Sequence, residues 1–297
     1  MNKHLNKSNK IILSIVLLLV VSSSKPAMAW WESGHQTVAI IAENHLTNNA
    51  KNKINEILGN STGHTVHLNE IAVCADVIKH HSINCAHDFK LKKSSKTGNW
   101  HFIDISLSEK NPTVESIEKY CVNGDCVLDQ MKNEISTLKD KSASQFEKQK
   151  SLMFLVHFMG DIHQPLHCID DEDKGGNDKE VFLYAPTVDK KMNLHSLWDN
   201  IIQENKPKEN ITPESLSVLL EKDILKKKTN NWLKGNTSSW TLESFNIAKN
   251  VIYANYKKNN GHLEKNYQAK MQPIAYQQIE KGGLRLAKIL NDIFSAN

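Results

Sequence analysis

Apolar residues recur three and four positions apart over much of the chain, which is the spacing of one face of an α-helix. Polar caps, glycine and proline mark where these patterns begin and end. Gly59 would end the first helix, Pro165 follows the second, and Thr212 would cap the fourth. The predicted helices span residues 36–58, 151–163, 194–203, 213–227, 242–256 and 267–294.

Alternating apolar and polar residues, which indicate strands, are rare. A short hairpin is predicted near 181–183 and an extended segment at 100–105, while loops are predicted at 62–68, 106–112, 170–179 and 206–212. No internal repeat or low-complexity linker divides the chain. We therefore predict an all-α fold: a single mostly helical domain with long loops and at most a short hairpin. Gly282 and Gly283, inside the last predicted helix, indicate close packing there, since each costs roughly 1 kcal/mol relative to alanine.

The N-terminus has the features of a removable export signal. Three lysines precede eleven almost wholly apolar residues, 11–21, and Ala27-Met28-Ala29 supplies the small residues that signal peptidases require. Eleven residues are too few for a membrane anchor, and no later segment is apolar enough to span a bilayer. We expect removal of residues 1–29, which leaves one domain over 30–297 that begins at Trp30 and is secreted or periplasmic.

Removal of the signal would also change the charge. The full chain has 37 Lys and Arg residues against 33 Asp and Glu residues, a formal net charge of +4. Four of those lysines lie in the signal, so the remaining chain would carry 33 residues of each sign. Balanced charge gives no argument for a nucleic-acid partner, and a hydrophobic content of 39% is typical of a soluble protein with a core.

The five cysteines indicate disulfides, because exported chains meet an oxidising environment. Cys121 and Cys126 bracket a Val-Asn-Gly-Asp turn, which predicts a local bridge. Cys74 and Cys85 are candidates for a second pair. Cys168 would then be left over, either free or in an intermolecular bond.

Histidine and aspartate recur four residues apart in apolar surroundings. His157 and Asp161 would leave the same face of one helix, and His195 and Asp199 repeat the spacing. His167 lies just beyond the end of the first of these helices. One such pair alone is more often a hydrogen-bonded core pair than a metal site. Two pairs and a further histidine, where an unpaired buried charge is costly, favour a metal site, and zinc suits such ligands.

Weaker candidates lie upstream. His101 and Asp76 each stand in a short apolar segment, and lone residues of this kind are more often structural. His35 lies five residues beyond the predicted new N-terminus at Trp30. A free α-amino group has a pKa of about 7.7 to 8.0, so it can lose its proton and bind a metal together with its own carbonyl oxygen. Removal of the signal would then complete the site.

Short motifs follow one another in a characteristic order along the chain. They are Trp30, Gly34-His35, Ala75-Asp76, His101-Phe102-Ile103-Asp104, residues 154–158 with Gly160-Asp161, Gln164-Pro165-Leu166-His167, Gly175-Gly176-Asn177, Asn193-Leu194-His195-Ser196 with Trp198-Asp199, and residues 278–283 with Arg285-Leu286-Ala287. In content and order they resemble the S1/P1 nucleases, the single-strand-specific trinuclear-zinc nucleases that include mung bean nuclease. The resemblance covers essentially the whole mature chain and implies the helical bundle shared by these nucleases and zinc-dependent phospholipase C.

The resemblance implies three zinc ions, with one carboxylate, that of Asp161, bridging two of them. Two close ions would lower the pKa of a bridging water, so that hydroxide exists near neutral pH, and the third would stabilise charge on the phosphate and on the leaving 3′ oxygen. The implied ligands are Asp76, His101, His157 and Asp161 for one ion, Trp30 (amine and carbonyl), His35 and Asp161 for the second, and His167, His195 and Asp199 for the third.

The resemblance also implies substrate contacts. Phe102 would stack on an unpaired base, and Asp104 would accept hydrogen bonds from the base edge; the alternative is core packing and a helix cap. Lys79 stands where the family often has an arginine near the phosphate, and it keeps the charge without the bidentate geometry. We expect Asp76, Asp161 and Lys79 to act in catalysis.

Two features depart from the family. His163 has no ligand counterpart and is expected at the surface or behind the ligands. The segment 168–174 is strongly acidic beside the expected cleft. Its charge would either disfavour long polyanions by repulsion or be screened by bound zinc.

The sequence thus predicts a zinc-dependent endonuclease that hydrolyses single-stranded DNA and RNA to 5′-phosphorylated products through a zinc-bridging hydroxide, with 3′-mononucleotides as a further substrate class. The nearest alternative is a zinc-dependent phospholipase C, which resembles this chain in its N-terminal tryptophan and three-zinc cage but usually has glutamate at the position of Asp199. A non-catalytic exported zinc-binding protein is another. We expect a monomer with no stable protein partner and no membrane contact.

Overall fold

The computed structural model describes residues 30–59, 65–85, 89–183, 190–202 and 211–295. Most of these residues are helical, which confirms the mostly helical fold class. The predicted signal and most of the predicted 206–212 loop lie outside the described residues. The helices are α1 Trp31–Asn44, α2 Asn48–Leu58, α3 Leu68–Ile71, α4 Cys74–Ile78, α5 Val127–Lys139, α6 Gln145–Asp161, α7 Leu194–Asn200, α8 Pro213–Ile224, α9 Thr237–Ile247, α10 Ala254–Asn259 and α11 Tyr267–Ile293.

Shorter helical turns connect several of these elements. A π-helix, Ala248–Tyr253, joins α9 to α10, so the predicted 242–256 helix is the middle of a longer helical run. Four 3-10 turns and one 3-10 helix of seven residues lie in the connections. They are Ser95–His101, Ser116–Tyr120, Val122–Gly124, Pro165–Cys168 and Thr229–Asn231.

The first predicted helix is two helices in the structure. The chain breaks after α1 at His45 and restarts at Thr47, whose hydroxyl accepts a hydrogen bond from the Ala50 amide as a helix N-cap. Leu46 stays buried in the bend. The prediction of one helix over 36–58 was therefore wrong, because apolar spacing continues across the break while the cap is a purely local feature.

The described residues also contain more strands than predicted. The hairpin expected near 181–183 is confirmed as β3 Glu180–Leu183 and β4 Lys190–Asn193, which pair antiparallel, and β5 His262–Leu263 adds to β3 in parallel. β1 Ile83–Cys85 and β2 Phe89–Leu91 form a separate antiparallel pair. Strands of two or three residues are too short to give a pattern of alternation. The extended segment predicted at 100–105 instead begins as the end of a 3-10 helix and continues as a non-strand loop.

Helix α6 is the centre of the core. From Ser151 to Asp161 every residue is buried, as expected for a helix that is apolar on all sides. It packs against α1, α5 and α11. Gly283 of α11 lies against Ile41 of α1, where a Cβ would overlap the isoleucine side chain, so the close packing predicted from the glycine pair is confirmed.

Two disulfides link described residues. Cys74 and Cys85 join α4 to β1 with an S–S distance of 2.00 Å, and Cys121 is bonded to Cys126, as predicted. The thiol of Cys168 is buried and is not part of a disulfide among the described residues. In that same part of the chain, no helix combines the length and apolar character needed to cross a membrane.

Candidate metal centre

The histidines and aspartates singled out from the sequence converge in the interior of the fold. Nitrogen and carboxylate oxygen atoms form three buried groups, each with its ligand atoms within 4.8 Å of one another. Helix α6 supplies two of these side chains and α7 another two, because a spacing of four residues repeats the same helix face. The groups are His35, His157 and Asp161; Asp76, His101 and His157; and His167, His195 and Asp199.

The first two groups meet at α6. His157 Nε2 lies 3.0 Å from His101 Nδ1 and 3.5 Å from Asp76 Oδ1. Asp161 Oδ2 lies 3.0 Å from His101 Nδ1, while Asp161 Oδ1 lies 3.6 Å from His35 Nε2. The two oxygens of the Asp161 carboxylate therefore face different histidines, which is the geometry of a carboxylate that bridges two ions.

Small residues allow the N-terminal part of the centre to form. The His35 ring stacks on the His157 ring with centroids 4.0 Å apart, and a Cβ on Gly160 would overlap His35. Trp30 is fully buried and has a positive φ of 44°, and a Cβ on Gly34 would overlap the Trp30 side chain. The Trp30 carbonyl, a predicted metal ligand, accepts the hydrogen bond from the Gly34 amide at 3.0 Å.

The third group lies where α6 gives way to the Pro165–Cys168 turn and α7 begins. His167 Nε2 and His195 Nε2 are 3.2 Å apart, and His195 Nε2 lies 3.8 Å from Asp199 Oδ2. Gln164 donates a hydrogen bond from Nε2 to Asp199 Oδ1 at 2.8 Å. The backbone of Trp30 also hydrogen-bonds to Asp199, so the predicted N-terminus reaches this group as well.

Backbone carbonyls orient three of the imidazoles. The Nδ1 atom of His157 donates to the Ala72 carbonyl at 2.7 Å. In the same way, His167 donates to the His101 carbonyl and His195 donates to the Gly175 carbonyl, each at 2.8 Å. This leaves each Nε2 as the acceptor nitrogen that faces its group. Metal-binding histidines usually have this arrangement, in which the second ring nitrogen is held by a hydrogen bond.

The donor spacing fits a tetrahedral metal ion. In the third group the Nε2 lone pairs of His167 and His195 face each other, and they repel unless a cation or a proton lies between them. Nitrogens bound to one zinc at about 2.0–2.1 Å lie roughly 3.3 Å apart, close to the separation here. Among the described residues, buried His101 Nε2, Asp161 Oδ1 and Asp199 Oδ2 also have no hydrogen-bond partner.

Burial sets the protonation states that suit a metal site. It lowers the pKa of His101, His167 and His195, that of His195 to about 4, so these imidazoles are neutral at neutral pH. Burial also raises the pKa of Asp161 to about 8 and raises that of Asp199. A bound cation would supply the positive charge that keeps these two carboxylates ionised in the interior.

A cavity of about 340 Å³ opens onto the centre and is lined by His101, His167 and His195. The three predicted substrate residues, Lys79, Phe102 and Asp104, line the same cavity. Its other lining residues are Gly98, Leu166, Asp170, Lys174, Gly175 and Asn177.

Charged neighbours fix the position of one lining side chain, Lys79, and shift the pKa of another, Asp104. Lys79 Nζ lies 2.5 Å from Asp76 Oδ1, so the lysine is held beside the buried ligands. Partial burial, with Asp170 and Asp173 nearby, raises the pKa of Asp104 to about 6.

Comparison with known proteins agrees with this geometry. A model of the S1/P1 nuclease family matches residues 30–295. The chain belongs to the S1/P1 nuclease family. It is 30% identical to Endonuclease 2 of Arabidopsis thaliana over 97% of this chain and 98% of that protein. It is 29% identical to Nuclease S1 of Aspergillus oryzae over 94% of this chain and 98% of that protein. It is 27% identical to Nuclease P1 of Penicillium citrinum over 89% of this chain and 97% of that protein.

Membership of the S1/P1 nucleases makes the chain a phosphodiester-cleaving hydrolase and confirms the resemblance found in the motifs. The match begins at Trp30, the residue expected at the mature N-terminus. The roles of the individual site residues stay predictions.

Sequence reasoning missed the residues that shape this S1/P1 nuclease site from behind. Three of them had been noted only as parts of motifs. Gln164 holds Asp199 by a hydrogen bond, Gly160 makes room for His35, and Gly34 makes room for Trp30. A glycine in an apolar helix next to a candidate ligand, as at Gly160, is the signal that points to such a contact.

His163 has a role that the sequence did not give. It is buried, so a surface position was wrong, while a position behind the ligands stays a prediction. Its Nδ1 donates to the Met159 carbonyl at 2.7 Å, and Arg285 Nη1 lies 2.9 Å from its Nε2. The Arg285 guanidinium further donates to the Trp232 carbonyl and to Glu243 Oε2, at 2.8 and 2.6 Å. Helix α11 is thereby connected to the turn that follows Asp161.

Proposed function

We propose that this S1/P1 nuclease is a zinc-dependent endonuclease that hydrolyses single-stranded DNA and RNA to 5′-phosphorylated products and also accepts 3′-mononucleotides. The observation that carries the proposal is the convergence of three buried His/Asp groups below one open cavity that Lys79, Phe102 and Asp104 line. A buried metal centre beside an aromatic ring and a cation suits a substrate with a phosphate and an exposed base.

We propose three zinc ions at this centre. Neutral imidazoles and carboxylates are zinc's usual ligands besides thiolate, and the one free thiol in the described part of the chain, Cys168, belongs to none of the three groups. The family resemblance assigns the ligand sets Asp76, His101, His157 and Asp161; Trp30, His35 and Asp161; and His167, His195 and Asp199. All of these residues except Trp30 belong to the three buried groups.

When bound, the ions would supply an activated water as nucleophile and positive charge for the phosphate and the leaving oxygen. The chain's own residues position the substrate. Lys79, held next to Asp76, presents its ammonium to the cavity where a phosphate would approach the centre. Phe102 offers an aromatic face for a base, and Asp104 offers a carboxylate to the base edge.

We infer that the protein is exported and processed before Trp30. The two disulfides suit an oxidising compartment, either the periplasm or the exterior. Processing would release an α-amino group at a fully buried tryptophan that packs against Gly34, the neighbour of His35, and whose backbone hydrogen-bonds to Asp199. We further propose that the chain acts as a monomer.

The alternatives are less well supported. The matched relatives include proteins named endonuclease and nuclease, which favours cleavage of nucleic acid over that of phospholipid. A non-catalytic zinc-binding protein would not need an open cavity with Phe102, Asp104 and Lys79 above the ions.

Digestion of single-stranded oligonucleotides by processed, zinc-loaded protein tests the proposal. We expect products with 5′-phosphate ends from both DNA and RNA, and no release of headgroup from phosphatidylcholine. Asp161→Asn should abolish cleavage and reduce zinc content, because one carboxylate serves two ions. Full activity of that variant, or cleavage of phosphatidylcholine instead of oligonucleotides, would contradict the assignment.

A further inference from the structure

We propose that an exposed row of lysines beside the cavity, Lys90, Lys92, Lys93 and Lys96, binds the phosphates of a single strand beyond the bond that is cleaved. We name these four residues the lysine flank. This inference rests on the proposed nuclease function and adds to it a binding site for the part of a strand that lies beyond the cleaved bond.

The charge around the lysine flank is strongly one-sided. Residues 77–98 contain five lysines and a single acid, Asp88. The flank side chains are exposed, and no carboxylate among the described residues lies within ion-pairing distance of them. By contrast, many other surface lysines, such as Lys119 and Lys132, pair with glutamate or aspartate. Unpaired ammonium groups are available to a phosphate backbone.

The local fold explains why these lysines point outwards. Strand β2 alternates, so Phe89 and Leu91 are buried while Lys90 is exposed. The strand ends at Leu91, and both Lys92 and Lys93 then face solvent. Lys96 is exposed in the 3-10 helix that follows.

The lysine flank is attached firmly to the metal centre. The Cys74–Cys85 disulfide joins its hairpin to α4, the helix that carries Asp76. The Ser94 amide donates to the Ile78 carbonyl at 2.8 Å, next to Lys79. The 3-10 helix that contains Lys96 ends at His101. The flank is therefore held in a fixed position relative to the cavity.

A second cavity gives the strand a path from the centre to the flank. It measures about 580 Å³ and shares one lining residue, Gly98, with the first cavity. The space beyond Gly98 is open, since a Cβ there would meet nothing within 4 Å. Lys96 lines this second cavity together with Trp100, three amide side chains, a glycine and one carboxylate. Those are Asn99, Asn123, Gly124, Asp125 and Gln130.

Segment 170–179, which lines the first cavity with Asp170, Lys174, Gly175 and Asn177, carries a net negative charge. Residues 170–179 contain five acids and two lysines, and Asp170 lines the cavity. Both lysines are already paired, Lys174 with Asp178 at 3.0 Å and Lys179 with Asp171 at 3.5 Å. Repulsion from this segment and attraction from the lysine flank would direct a strand towards the flank.

The test compares a dinucleotide, which is too short to reach the flank, with a long oligodeoxythymidylate. The variant is Lys92→Gln, Lys93→Gln and Lys96→Gln together. Lys139→Gln, Lys141→Gln and Lys228→Gln together form the control, because these lysines are equally exposed but lie outside the hairpin and the 3-10 helix that lead to Gly98. Each phosphate contact on a single strand contributes about 0.7 to the slope of log affinity against log salt.

We expect the flank variant to lose roughly tenfold in kcat/KM on the long strand near 0.1 M salt, with a salt slope smaller by about 2. Its dinucleotide cleavage and zinc content should be unchanged, and the control variant should match the parent on both substrates. If the flank variant has an unchanged salt slope and still cleaves both substrates, the lysine flank does not bind the strand, but the proposed nuclease function is unaffected. Cleavage of neither substrate by the parent overturns the nuclease function itself.

A second measurement needs no variant. With the parent protein, the salt slope of KM should rise as the strand is lengthened beyond a dinucleotide and then level off once the flank is filled. A slope that does not change with strand length contradicts the proposal.

Discussion

At the scale of single residues, the centre depends on glycines that lack a side chain as much as on the proposed ligands. Gly160 has no Cβ, and this lets the His35 ring lie flat against His157. The motifs were sufficient to name the proposed ligands, because their identities and spacing are written in the chain. The contacts behind the ligands come from residues distant in sequence, such as Gln164 on Asp199, so no local pattern contained them.

Gly160→Ala should reduce the metal content of the protein. Alanine favours a helix over glycine by about 1 kcal/mol, so a simple helix effect would stabilise α6. The added Cβ overlaps His35, however, and must displace it. Elemental analysis should show less bound zinc per chain, while Gly98→Ala, where the Cβ meets open space, should keep the parent's zinc content. Equal zinc content in both variants would show that His35 can shift without cost.

Asp104 should make substrate binding depend on pH. Its pKa is raised to about 6, so the carboxylate gains a proton as the pH falls through 6, whereas an ordinary aspartate would stay charged. If the charged form accepts hydrogen bonds from the base, KM should rise below pH 6. Asp104→Asn should flatten that limb of the KM profile, with zinc content followed at each pH. A parent-like pH profile in the variant would remove Asp104 from substrate binding.

At the scale of elements, α6, which is buried from Ser151 to Asp161, carries the proposed ligands His157 and Asp161 into the core, and its neighbours hold its end in place. Helix α11 was predicted to within one residue, whereas α6 begins six residues before the predicted 151–163 helix and α5 was not predicted. The break between α1 and α2 and the strands β1, β2 and β5 were not predicted either, because caps and two- or three-residue strands leave no periodic pattern. Their positions are set by tertiary contacts.

The contact between α11 and the turn after α6 should matter for stability. Arg285→Met would remove the hydrogen bonds from a buried guanidinium to His163, Glu243 and the Trp232 carbonyl. We expect a loss of about 3 kcal/mol in the free energy of unfolding, measured by urea denaturation. Lys288→Met on the same helix, which removes a surface pair with Asp292, should cost less than about 1 kcal/mol. Similar losses in the two variants would refute the anchoring role.

At the scale of the whole molecule, a lysine-rich segment and an acid-rich segment both reach one cavity, although the mature chain as a whole would be neutral. Net charge gave no sign of a nucleic-acid partner, since it does not show that Lys79 of one segment and Asp170 of the other line the same cavity. The role of the N-terminus likewise follows from the fold rather than from the sequence alone. Its importance depends on where Trp30 lies in the folded protein, packed against Gly34 and hydrogen-bonded through its backbone to Asp199.

Retention of residues before Trp30 should impair the protein. An extension turns the α-amino group into an amide, which cannot bind a metal in the same way, and Trp30 is fully buried. We expect protein with the signal still attached to bind fewer zinc ions and to cleave oligonucleotides much more slowly than processed protein. Normal turnover by the precursor would contradict the role of the Trp30 amine.

The central claim is that nine residues hold three zinc ions at the floor of the cavity. Anomalous diffraction at the zinc edge, from crystals of the processed protein, tests it most directly. We predict three peaks, one within each proposed ligand set, with Asp161 between two of them. Crystals of zinc-loaded protein with no peak among these side chains, or with zinc bound elsewhere, would contradict the account.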